Sequence, residues 1–82
     1  MKEQDLIDLG FERYDASAEE SGDFPFYYYT YDITDELCLI SGDDGKAKKE
    51  GWSVEMFDYD GIKFTSIEDL KTLINVIEKN KL

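Results

Sequence analysis

The residues able to do chemistry are narrow in kind. The chain has 82 residues, no histidine and one cysteine. Without histidine it lacks the commonest general base near neutral pH and the commonest metal ligand. Serine-histidine, cysteine-histidine and multi-cysteine zinc arrangements are therefore excluded. Cys38 lies between Leu37 and Leu39, which reads as a buried small hydrophobe rather than a reactive thiol. No Gly-Lys-Ser/Thr phosphate loop occurs. Carboxylates are plentiful, among them Asp58 with Asp60, Asp32 with Asp35 and Glu19 with Glu20. A two-carboxylate hydrolase, however, needs a cleft that raises one pKa, and a domain of this size has little room for it. A calcium loop fails on its ligands. With Gly61 at the loop glycine, Met56 takes the first ligand position and Ile67 the closing glutamate; with Gly45 there, Ile40 and Gly51 take them. The chain is read as not an enzyme, with no cofactor and no metal.

What remains is surface. Residues 24 to 33 read FPFYYYTYDI and hold two of five phenylalanines and four of six tyrosines. On a strand, alternation separates Phe24, Phe26, Tyr28 and Thr30 from Tyr27, Tyr29, Tyr31 and Ile33. Ile33 continues the second set, so Tyr29, Tyr31 and Ile33 are assigned to the core, and Phe26 and Tyr28 to the solvent side. Tyrosine suits an interface because it buries much area at little entropic cost and keeps a polar tip.

Charge is the other strong signal. Twenty acids face nine bases, a net of -11. Residues 1 to 44 carry thirteen of the acids and only Lys2 and Arg13 as bases, whereas residues 45 to 82 are balanced. Such a field repels phosphates and acidic membranes and attracts basic protein surfaces; it also serves solubility. The lone cysteine suits a reducing, cytoplasmic setting. The longest apolar run, Leu37-Cys38-Leu39-Ile40, is far too short to span a bilayer.

The elements follow from spacing. Glu3 to Leu9 reads as a short helix stopped by Gly10, and Phe11 to Tyr14 as a short strand. DASAEESGD has no large apolar residue and reads as a surface loop. The aromatic strand then turns at Thr34-Asp35-Glu36 into LCLISG, an interior strand. Lys46-Ala47-Lys48-Lys49 reads as a basic loop. In WSVEMFDYDGIKFTS, Asp60-Gly61 predicts a two-residue hairpin that sets Tyr59 opposite Ile62, Asp58 opposite Lys63 and Phe57 opposite Phe64. From Thr65 onward a capping box, Thr65 with Glu68 or its shifted version Ser66 with Asp69, starts a helix whose stripe is Ile67, Leu70, Leu73, Ile74 and Ile77. With a hydrophobic fraction of 41%, this predicts a single α+β domain over residues 1 to 82: about four antiparallel strands, with an N-terminal and a C-terminal helix on one face.

Leu9-Gly10-Phe11 after an opening helix, with Ser66-Ile67-Glu68-Asp69-Leu70-Lys71 and Leu73-Ile74 near the end, resembles short proteins of phages and bacterial mobile elements. The resemblance covers about a quarter of the chain and carries over no site residues. It implies small intracellular proteins that act by binding, including inhibitors of host nucleases and other defence proteins. The expected function is a non-enzymatic binding module whose acidic half engages a basic, nucleic-acid-binding protein surface as a phosphate mimic, with no direct nucleic acid or membrane contact. The expected contact residues are Phe26, Tyr28, Asp32, Asp35, Glu36, Asp43 and Asp44, with Glu19, Glu20 and Asp23 in the loop. The alternative is an assembly protein, a homo-oligomer or part of a larger complex, joined through strand 24 to 33.

Overall fold

The computed structural model describes residues 1 to 17, 25 to 57 and 59 to 82, with the backbone alone at 59 and 60. Among the described residues are three helices, α1 (Glu3–Leu9), α2 (Asp44–Glu50) and α3 (Ile67–Lys79). Five strands are β1 (Glu12–Ala16), β2 (Phe26–Asp32), β3 (Cys38–Ser41), β4 (Val54–Met56) and β5 (Tyr59–Phe64). They form one antiparallel sheet in the order of the chain. The fold is α+β with helices toward both ends of the chain, and it has one strand more than expected.

Local chemistry explains the helix ends. Gly10 closes α1 at φ 100, in the left-handed region that costs glycine little; Phe11 N–H then donates back to the carbonyl of Leu6. Ser66 caps α3 by accepting from Asp69 N–H, so the cap is the serine of the shifted pair and not Thr65. Leu70 and Ile74 of α3 and Leu6 of α1 pack on Tyr29, Leu39 and Val54 of the sheet, with Phe11 and Ile33. Tyr31, assigned to the core, is half-buried against it, as are Leu73 and Ile77 of the predicted stripe.

Two local readings are corrected. Residues 46 to 49 are not a loop but most of α2. Asp43 caps this helix by accepting from Lys46 N–H at 2.7 Å, Asp44 lies in its first turn, and Lys48 and Lys49 lie in its last. These charges complement the helix dipole, and the segment lacks the apolar residues from which a helical period could be read. In the β4–β5 pair, Val54 faces Phe64, Glu55 faces Lys63 and Met56 faces Tyr59, with an irregularity between Glu55 and Met56. The expected partners of Tyr59, Phe57 and Lys63 are thus replaced, and Asp58 lies outside the described residues. Asp60 and Gly61 sit within β5. The expected register would have set Val54 opposite Ile67, the first residue of α3. The observed one lets β5 end at Phe64 beside fully buried Val54 and leaves Ser66 free to cap.

Candidate functional site

Strand β2 has two differently built faces. Its odd-numbered tyrosines point toward the helices. Tyr27 Oη donates to Glu3 Oε1 at 3.3 Å, and Tyr29 Oη donates to Glu3 Oε2. Tyr31 Oη donates to Glu78 Oε1 of α3 at 3.0 Å. Trp52 packs its ring 5.5 Å from that of Tyr29. Burial first, then the hydrogen bond to Glu3, pushes the Tyr29 hydroxyl up to about 12. Tyr27 and Tyr31 are raised in the same direction, with burial as the leading cause. These rings hold α1 and α3 onto the sheet.

The even-numbered side chains occupy the face turned away from α1 and α3. Register pairs Tyr28 with Tyr14 and Phe26 with Ala16 of β1, and the ring of Tyr28 lies 5.2 Å from Tyr14 and 6.1 Å from Phe26. On the other side of β2, Thr30 faces Ile40 and Asp32 faces Cys38. A groove of about 460 Å³ opens here. Tyr28, Ile40, Cys38 and Phe57 form its apolar part, and Thr30, Asp35 and Glu36 its polar edge. Phe57 and Tyr14 are 58% and 50% exposed, so this is aromatic area in contact with water. Glu12, Asp32 and Glu55 share the face, and Lys63 opposite Glu55 is the one cation that register places on it among the described residues.

The expected contact residues divide. Phe26, Tyr28, Asp32, Asp35 and Glu36 come together on or beside this face. Asp35 and Glu36 are exposed at the β2–β3 turn, which Thr34 organises by accepting from the N–H groups of Glu36 and Leu37. Asp43 and Asp44 do not join them. Asp43 is the α2 cap, and Asp44 Oδ1 accepts from Tyr27 N–H at 3.1 Å. Glu19, Glu20 and Asp23 lie outside the described residues. Tyr14, Cys38, Ile40 and Phe57 were missed. The alternation of Glu12 with Tyr14, and of Cys38 and Ile40 about buried Leu39, carried that signal once β1 to β3 were paired.

No family model, curated protein or solved structure matches this chain.

Cys38 is half-buried on the open face, not sealed in the core. Burial and then the neighbouring Asp32 carboxylate hold its thiol above the ordinary range, which lowers its thiolate fraction near neutral pH. Among the described residues no group of three or more acids or cysteines is placed to hold a metal ion, and no helix is long and apolar enough to cross a membrane. The arrangement offers aromatic area, a shallow groove and uncompensated carboxylates. That combination suits binding.

Proposed function

We propose that the protein is a non-enzymatic, cytoplasmic binding module of phage or mobile-element type. Its open sheet face docks on a basic, nucleic-acid-binding protein surface, with carboxylates standing where phosphates would. The observation that carries the reading is the joining of half-exposed Tyr14 and Phe57 to a rim of Glu12, Asp32, Asp35 and Glu36 on the face turned away from α1 and α3. A net charge of -11 steers a basic partner and makes association fall as salt rises. The rings supply the buried area that charge alone lacks.

Self-association through β2 is the weaker reading. β2 lies between β1 and β3, and beyond its pairing with β3 the N–H groups of Tyr27 and Tyr29 are taken by Asp44 and Ser41. It has no free edge for strand pairing. Two copies would have to meet face to face, with like charges opposed. The test is capture from a bacterial lysate at low and then high salt, with the wild type beside an Asp35→Asn, Glu36→Gln variant and a Tyr14→Ser, Phe57→Ser variant. A basic nucleic-acid-binding protein held by the wild type, released by salt and lost with both variants is expected. Salt-resistant self-association in light scattering, or capture indifferent to both variants, overturns the reading.

A further inference from the structure

The two faces of β2 contain similar ingredients, with one exchanged. On the helix side, the Arg13 guanidinium lies 3.7 Å from the centre of the Tyr27 ring while donating to Asp15 Oδ1 through Nε at 3.0 Å and Nη2 at 2.8 Å, and to Oδ2 through Nε at 3.2 Å. A flat cation is thus stacked on a tyrosine and forked onto a carboxylate, the geometry that arginine forms and lysine does not. The groove on the open side brings together the rings of Tyr28 and Phe57 with Asp35 and Glu36, and among the described residues no cation lines it. Neither Asp35 nor Glu36 is in an ion pair among the described residues.

We propose that this groove is a subsite for one arginine side chain of the protein partner. The guanidinium lies against Phe57 and Tyr28 and is hydrogen-bonded by Asp35 and Glu36, while Ile40 and Cys38 take its methylene stem. This rests on the reading of the open face as the docking surface. Charge complementarity alone would accept lysine equally. A stacked and forked site favours arginine, because guanidinium is planar and weakly hydrated while ammonium is compact and strongly hydrated.

The probes are two peptides of equal length and charge, with glycine alternating with arginine in one and with lysine in the other. Affinity is measured by calorimetry, and occupancy by the rate at which Cys38 is alkylated. The arginine peptide should bind about tenfold more tightly, the ratio set by about 1.4 kcal/mol of stacking and forked bonding, and should slow alkylation of Cys38. Phe57→Ala, at an exposed position, should bring the two peptides close to parity, whereas Asp35→Asn with Glu36→Gln should weaken both. Equal binding of the peptides, each protecting Cys38, overturns the arginine subsite and leaves the acidic docking face standing. Failure of both to bind or protect overturns both. Protection that grows with the protein's own concentration assigns the face to a second copy and also overturns the proposal.

Discussion

Tyr29 and Tyr28 are neighbours in the chain, of the same residue type and on the same strand, yet the fold uses them oppositely. Tyr29 is 2% exposed, with its hydroxyl on Glu3 and its ring against Trp52. Tyr28 packs against Tyr14 and Phe26 and lines a groove open to water. The aromatic density of this strand therefore does two jobs. Carboxylates on the helices turn one set of tyrosines into fasteners, and the absence of those helices on the other side leaves the second set as surface.

The largest effect expected from breaking that contrast is on stability. Tyr29→Ala should cost about 3 to 5 kcal/mol by opening a cavity under α1, against about 1 kcal/mol for Tyr28→Ala, whose ring is only half-buried. Urea unfolding of the pair measures both, and equal losses would erase the contrast. Glu3→Gln comes next. It weakens the acceptor for two tyrosine hydroxyls, with an expected loss of about 1 to 2 kcal/mol.

Alkaline pH sharpens the same contrast. The folded-state value of Tyr29, about 12, lies above the ordinary 10. A raised folded value means that its stabilising contribution is complete below pH 10 and is lost as pH rises from 10 through 12. Tyr27 and Tyr31 are shifted in the same direction. Stability should therefore fall over that window, and Tyr29→Phe should flatten the fall; an unchanged slope would refute the assignment. Smaller again is a comparison between acids. Asp43→Ala removes the α2 cap and should cost about 1 kcal/mol, whereas Asp35→Ala, exposed and without an ion-pair partner among the described residues, should stay within about 0.5 kcal/mol. Thermal melts of the two decide it.

These contrasts also mark how far the sequence could be read. α1 and α3 were legible because Gly10, Ser66 and Asp69 are local signals that the tertiary structure leaves in force. The faces of β2 were legible because Ile33 fixed the parity of the buried set. The β4–β5 register was not, because the turn preference of Asp60-Gly61 is weaker than burying Val54 beside Phe64 before a helix that starts at Ile67. α2 was hidden by the lack of an apolar face, although Asp43 before Lys46 N–H is a sound cap. Asp43 and Asp44 looked like free surface charge, since nothing local shows that Tyr27 N–H needs an acceptor where β2 and β3 part. Phe57 was not legible because a long-range bond sets its place: its N–H, just past β4, donates to the Cys38 carbonyl of β3.

The central claim is that the open face, and not the acidity of the chain as a whole, is the working surface. Cys38 allows the most direct test, because it lies on that face and is the protein's one cysteine. Alkylating it with a bulky maleimide blocks the groove and changes none of the carboxylates. With the fold of the blocked protein checked by circular dichroism, capture of basic proteins from a low-salt lysate is compared before and after blocking. Loss of capture at unchanged net charge is the predicted result. Capture of the same proteins in the same amount by the blocked protein would contradict the account and return the binding to undirected charge.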